Sequence, residues 1–468
     1  MANLNYKFGQ FVIVISVKNY LIIKDLIVMQ KLTTGIFAGA IVIGAASAAY
    51  IPVQVGYQVE AQLQQVVNVQ NAKVNSGFQI ELLNYQRFAY STTFLSRITL
   101  ADIDAQQNGR PLLSLDIQHQ LQHGFGKVRF VSELAPEQQG NKFLKDYFND
   151  QSPLRLKGEF DHNSLNLDAY LDGFTLKPQG QEGTIYVQPA VAQLFYQQGE
   201  VVEGIAQNHY RLNTVWNGAD LIAGRDYLKL RPASFKVTGS QATDYLWRYQ
   251  SQLGLTGMEF GNQGFVLKAG ALLLQDQFSL TAQEDKTPSS IHYQSQLKLQ
   301  GLTGEQFGQT ALKINSASLA YQISGPTVAN TEALISASQQ IDPEQMSNEQ
   351  AQQILPLLIE FLQALNVQID SLNVSTPEGS LDSNLQLQVD ASQDELIQAL
   401  SAPMLLTRLL DANANLLVDK TLVQSTMPLQ MLAMQLYGAG AYEEKEDKMS
   451  VMAELKQGRL TINGVATE

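Results

Sequence analysis

The residues best suited to chemistry in this sequence are its five histidines, His119, His123, His162, His209 and His292. His119 and His123 stand four apart, the spacing at which a helix offers two imidazoles to one metal ion. Their neighbours argue for a strand instead. Leu113, Leu115, Ile117, His119, Leu121 and His123 alternate with Ser114, Asp116, Gln118, Gln120 and Gln122, the period of a half-buried strand. Four residues of strand separate the rings by roughly 13 Å, too far to share an ion. Both fall on the apolar face. The expectation is a packed pair whose ring nitrogens find local partners, with Gly124 at the bend that follows.

Other candidates are weaker still. Asp168, Asp172, Asp220 and Asp226 would support acid–base chemistry only if two of them met across a cleft. The run Glu443–Asp447 lacks the spaced ligands and central glycine of a calcium loop and reads as a solvated hairpin tip. Trp216 and Trp247 would suit stacking on sugars, but in a strand-rich chain packing claims them first. No H-E-x-x-H, G-x-S-x-G, Walker or G-x-G-x-x-G pattern occurs. The absence of cysteine excludes disulfides, thiolate metal sites and cysteine nucleophiles. No catalytic residue, metal ligand or cofactor-binding residue is nominated, and the expectation is a chain without enzymatic activity.

The elements that must position any site begin with an apolar run, KLTTGIFAGAIVIGAASAAYIPV from Lys31 to Val53, uncharged after its first residue. Its length at a helical rise matches a bilayer's hydrocarbon core, so residues 29–53 read as a signal anchor. Lys7, Lys18, Lys24 and Lys31 all precede the uncharged run, which predicts a cytoplasmic N-terminus and an exported remainder. Ala46-Ser47-Ala48 offers an alternative, cleavage near Ala48 and release into the periplasm. Residues 1–28 fit neither a span nor a signal and read as a mis-annotated start before Met29, or as a cytoplasmic tail. Gly35 and Gly39 give the span a small-xxx-small face compatible with a homodimer. The net charge of −13 disfavours nucleic acid as a partner.

Val59, Leu63, Val66, Val67 and Val74 mark an amphipathic helix over 54–77, a stalk or a lid on the first sheet. From 78 to 325 the period is two, with strands expected at Leu154–Phe160, Leu165–Leu171, Thr184–Val187, Tyr227–Leu230, Ser234–Val237, Phe265–Leu274, Gln294–Leu299 and Ala317–Ile323, and one short helix near Lys142–Phe148. Strands following strands predict a meandering antiparallel β-rich domain. Residues 326–468 read as an α+β domain. Helix starts lie at Asp342-Pro343 and Ser347, followed by an apolar helix over Ile354–Leu365. A hairpin of Val367–Val374 and Leu381–Val389 turns at Thr376-Pro377-Glu378-Gly379. A capping box, Ser392 to Glu395, opens a helical stretch through Leu410 kinked at Pro403. A last hairpin pairs Leu432–Tyr442 with Met449–Leu455, before a short segment Arg459–Ile462. The fold class is α+β: an N-terminal membrane helix, a long antiparallel β-rich domain, and C-terminal helices packed with β-hairpins.

The basic-then-apolar start at Met29, QIELLNYQRFAYSTT (Gln79–Thr93), IQHQLQHG (Ile117–Gly124), the TPEG turn (Thr376–Gly379) and GRLTING (Gly458–Gly464) together resemble the YdgA-like bacterial envelope proteins, a domain of unknown function. The resemblance runs from Met29 through nearly the whole chain. It implies a protein anchored in the inner membrane with its bulk in the periplasm, and implies no biochemical activity. Three functions fit: first, a non-enzymatic envelope scaffold or interaction domain with protein partners; second, a carrier holding lipid or another apolar ligand on a curled sheet; third, a hydrolase of an envelope polymer. A continuous apolar lining would favour the carrier, and convergent acids the enzyme.

Overall fold

A computed structural model of the chain describes residues 63–65, 67, 68, 71, 78–88, 90–100, 113–124, 126–135, 148, 151–161, 163–177, 183–202, 205–243, 245–282, 288–339, 348–401 and 408–466. The expected N-terminal tail, membrane segment, cleavage site and first turns of the amphipathic helix lie outside these residues. So do the helix start at Asp342-Pro343, the kink at Pro403 and all of Lys142–Phe148 except Phe148. Among the described residues, no helix is long and apolar enough to cross a membrane. The chain divides into two compact units, Met1–Leu171 and Asp172–Glu468.

In the first unit six strands follow one another: β1 (Phe78–Arg87), β2 (Ser91–Leu100), β3 (Leu113–His123), β4 (Val128–Leu134), β5 (Leu154–Phe160) and β6 (Ser164–Leu171). Each pairs antiparallel with the next. The alternation expected from sequence is the alternation observed. Phe94, Ile98, Leu115, Ile117, Leu156 and Leu165 are buried on one face. Leu63 and Val67 are helical and buried, and the Asn71 side chain both donates to Ile80 O (2.8 Å) and accepts from Ile80 N (2.9 Å). The described residues of this helix therefore pack against β1.

The second unit is built on long antiparallel strands that are each interrupted once. They run as β8 (Thr184–Val187) into β9 (Ala190–Gln197), β12 (His209–Trp216) into β13 (Ala219–Ala223), β14 (Asp226–Leu230) into β15 (Ala233–Gln241), β16 (Trp247–Leu255) into β17 (Met258–Gly261), and β18 (Phe265–Ala269) into β19 (Leu272–Ala282). A short strand, β7 (Phe174–Leu176), precedes them, and a small ribbon of β10 (Val201–Val202) and β11 (Ile205–Ala206) stands apart. The 19-residue β20 (Pro288–Gln306) pairs with β19 along its first part and β18 along its last.

The interruptions fall at Gln188-Pro189, Asn217-Gly218, Arg231-Pro232, Thr256-Gly257 and Gly270-Ala271, with Gly301 (φ 66°) at the same level in β20. Hydrogen bonds tie them side by side: Asn217 N to Pro189 O (3.1 Å), Thr256 N to Pro232 O (2.9 Å), Gln300 N to Ala271 O (2.8 Å). Proline withholds a ladder donor and glycine admits a left-handed backbone, so each is a site where a strand bends. Aligned, they crease the sheet. Gly218 (φ 111°) allows nothing else, because a Cβ there would sit 2.2 Å from Leu230 O. Gly218→Ala is expected to destabilise the second unit by at least about 1 kcal/mol, measured as a lower midpoint in thermal unfolding.

Beyond β20 the sheet continues antiparallel through β21 (Gln309–Thr327), β22 (Asn366–Thr376), β23 (Gly379–Val389), β24 (Leu410–Asp419), β26 (Lys448–Lys456) and β27 (Arg459–Ile462). Two short strands, β25 (Glu443–Lys445) and β28 (Val465–Ala466), finish the edge. Among the described residues five helices pack on it: α1 (Val328–Gln339), α2 (Asn348–Ala364), α3 (Gln393–Ser401), α4 (Lys420–Ser425) and α5 (Met427–Gly438). The capping box of α3 is formed, with Ser392 N and Oγ both donating to Glu395 Oε2 (2.8 and 2.7 Å).

Four expectations are corrected. Phe265–Leu274 is two strands, parted at Gly270 where a Cβ would meet Gln300 O at 2.3 Å. Leu410, expected at the end of the helical stretch from Ser392, instead begins β24, whose Leu410, Ala412, Ala414, Leu416 and Val418 keep period two. Leu432–Tyr442 is no strand: Met, Leu, Ala and Gln after a proline at the first turn make α5. Helix α2 is less enclosed than its apolar content predicts, since among its residues of described burial Ile359 alone is fully buried.

Candidate functional site

The two described histidines of the first unit, His119 and His123, lie where the period placed them. His119 is buried on β3 between Ser96 of β2 and Ser132 of β4, with Nε2 2.8 Å from Ser96 Oγ and Nδ1 2.7 Å from Ser132 Oγ. The Phe94 ring stacks on it at 4.4 Å. His123 reaches Thr92 Oγ1 through Nε2 (2.9 Å), and its Nδ1 is buried without a partner among the described residues. A serine, histidine and serine in contact invite a nucleophilic reading. Ser96 and Ser132 are 0% and 2% exposed, so no substrate reaches them.

Burial drives the His119 imidazolium down to about 3 and lowers His123 in the same direction. The native state therefore refuses a proton that the unfolded chain accepts below about pH 6.5. Stability contributed by His119 is complete above that pH and is lost as pH falls towards 3. At pH 7 the wild type should be more stable than His119→Gln. By pH 5 that gap should shrink by about 2 kcal/mol, read from urea midpoints; a gap independent of pH would reject the account.

The remaining candidates do not converge. Asp168 stands opposite Lys157, Asp220 opposite Lys229 and Asp226 opposite Ala223, while Asp172 follows β6. His209 is exposed, His292 half-buried, and His162 lies outside the described residues. Within Glu443–Asp447, Glu444 pairs with Lys420 at 2.6 Å and accepts from Tyr442 at 3.0 Å, so the run is a braced hairpin; Glu446 and Asp447 turn with positive φ. Among the described residues no three acidic or histidine side chains gather to hold a metal. Trp247 packs edge-on against Tyr210 at 5.4 Å.

What sequence reasoning had not located is a face. Strand register carries it across the second unit. Leu253, Leu274, Leu297, Leu319 and Leu372 stand directly opposite one another on β16, β19, β20, β21 and β22. Beside them runs Leu255, Leu272, Leu299, Ala317 and Val374. The reverse face carries a ladder of glutamines, Gln250, Gln277, Gln294, Gln322, Gln368 and Gln386. A bulge between Ile369 and Leu372 shifts β22 by one residue and keeps both on the apolar side.

Among the described residues, helices cover this face only towards its ends. Val328, Ile335 and Phe361 of α1 and α2 gather around Leu246, Phe278, Leu280 and Ile291. At the other end α4 and α5 bury Val418 and Met449 under Leu422, Val423 and Leu436. Between them Leu253 and Leu297 remain 38% and 36% exposed. Helix α5 itself is apolar on both sides, leaving Met427, Met431, Met434 and Tyr437 exposed.

These features define a β-rich α+β protein whose second unit carries an extended apolar sheet face, with no assembled catalytic group among the described residues. Residues 29–466 match the family model for a bacterial protein of unknown function, DUF945, and the chain belongs to that family. No curated protein matches the chain, and no solved structure does.

Proposed function

We propose that this protein is a non-enzymatic carrier that holds a lipid-like apolar ligand on the leucine rows of its second unit, while a single helix at residues 32–53 anchors it in the bacterial inner membrane with its bulk in the periplasm. The observation that carries the reading is the partial exposure of Leu253 and Leu297 in the middle of a largely apolar face. Aliphatic rows in water are unfavourable at about 25 cal/mol per Å², and an alkyl chain lying along them removes that cost. The anchor draws support from the uncharged run after Lys31 and the lysines before it. The acidic remainder argues against nucleic acid.

The test is photolabelling. The full chain is incubated with vesicles whose phospholipid carries a diazirine in its acyl chain, irradiated and digested. Adducts are expected in peptides from 247–255, 272–282 and 288–306. Labelling confined to residues 29–53 would defeat the carrier.

A second reading, an envelope interaction scaffold, draws on a different surface, the exposed stripe Met427, Met431, Met434 and Tyr437. Flexible methionines suit a partner's apolar helix. Protein crosslinks at α5 without lipid adducts on the sheet would favour it.

A further inference from the structure

The apolar face contains one polar row, and its chemistry is specific. Ser251, Asp276, Ser295 and Tyr321 stand opposite one another on β16, β19, β20 and β21, one step along the strands from the leucine row. That step is about 7 Å. On the far side comes an aromatic row, Tyr249, Phe278 and Tyr293. Asp276 accepts from Tyr293 OH at 2.9 Å and from Ser251 Oγ at 3.2 Å. Among the described residues it forms no ion pair.

A half-buried carboxylate beside apolar rows favours a counter-charge. Among the described residues, two neutral hydroxyls occupy one acceptor position on each oxygen and leave the others open. The rings gather beside it: Tyr249 stacks on Phe278 at 6.0 Å, and Tyr293 lies 5.9 Å from Tyr321. Burial and the neighbouring Asp276 raise the Tyr249 and Tyr293 hydroxyls, which therefore remain neutral donors. A carboxylate flanked by aromatic rings is the complement of an ammonium group, which takes the charge from one and the ring quadrupole from the others. An anionic head would be repelled.

We propose that Asp276, with Tyr249, Tyr293 and Tyr321, forms a subsite for the ammonium head of an amphiphile whose alkyl tail lies on the leucine row of Leu253, Leu274, Leu297 and Leu319. The assignment rests on the carrier reading and adds the class of its ligand. The geometry is one head-to-tail unit: charge at Asp276, first methylenes about 7 Å away at Leu274. The same chemistry would take a lipid amine or a free alkylamine.

The test compares dodecyltrimethylammonium and dodecyl maltoside, each below its micellar concentration, with choline, on the full chain, with the fluorescence of Trp216 and Trp247 as readout. Wild type should bind the cationic amphiphile about tenfold more tightly than the neutral one, and choline too weakly to saturate. In Asp276→Asn that ratio should fall close to one. Should this variant fail to fold, Tyr249→Leu keeps the face apolar and should lower the ratio about threefold. A wild-type ratio of one overturns the subsite and leaves the carrier standing. Failure of both amphiphiles to bind wild type overturns both. Choline binding as tightly as the amphiphile would make the site a receptor for the free head, against the tail assignment.

Discussion

Arg97→Ala is expected to cost the first unit about 3 kcal/mol, among the largest losses any single surface-reaching side chain can produce here. Arg97 of β2 and Asp116 of β3 are cross-strand partners on the face opposite the histidines. The guanidinium grips both carboxylate oxygens, Nε to Oδ1 at 2.8 Å and Nη2 to Oδ2 at 3.1 Å. Hydrogen bonding to Asp116 raises the arginine further above its ordinary value. Asp116 is 0% exposed, whereas the Arg97 side chain keeps 34% of its surface in water. Removing the arginine therefore takes the bidentate partner from a desolvated carboxylate, and the cost of that weakened pairing at a buried charge, more than the lost attraction alone, sets the size of the effect. Two companion variants separate the terms. Arg97→Lys keeps charge and loses the fork, and should cost less. The double variant Arg97→Met with Asp116→Leu removes both charges and should recover most of the loss. Urea unfolding followed by backbone circular dichroism measures all three. A double variant no more stable than Arg97→Ala would show that packing, not the buried charge, is responsible.

The fold was legible wherever one face of a strand met a core. In β3 the alternation of Leu115, Ile117, His119 and Leu121 fixed strand, face and the structural role of the histidines together, because burial of one face enforces period two. The capping box at Ser392 and the turn at Thr376-Pro377-Glu378-Gly379 were legible because each is a local hydrogen-bond or φ requirement. Helix α5 was not. Its sequence, apolar on both sides, carries neither period, and its outer methionines are exposed where amphipathic logic expects polar residues. The crease was visible only as scattered turn residues. Pro189, Gly218, Pro232, Gly257 and Gly270 read singly as strand ends, and only the register of neighbours shows that they line up. The same holds for the polar row. Asp276 sits in LLLQDQFSL as an ordinary polar position, and its meaning comes from Ser251, Tyr293 and Tyr321, 25, 17 and 45 residues away, which no local pattern can bring together.

Leu297→Asp is expected to weaken binding of the neutral probe dodecyl maltoside about thirtyfold, equivalent to roughly 2 kcal/mol of desolvation for a carboxylate placed under an alkyl tail. Leu297 is at the centre of the leucine row on β20, flanked by Leu274 and Leu319. Because it is already 36% exposed, an aspartate there can turn its oxygens to water in the free protein, and the thermal midpoint should move little. The ligand-bound state has no such escape: the tail covers the side chain and takes the water away. That asymmetry is what distinguishes a binding face from a core, since in a core the same substitution destroys the fold before it touches a ligand. Gln294→Asp is the control, exposed on the same strand and pointing to the glutamine face. It adds the same charge to the same strand and should leave dodecyl maltoside binding unchanged. Equal losses in the two variants would mean that overall charge, not the leucine row, governs binding. Loss of the fold in Leu297→Asp alone would mean that the row is covered in the native protein, and the carrier reading would fall with it.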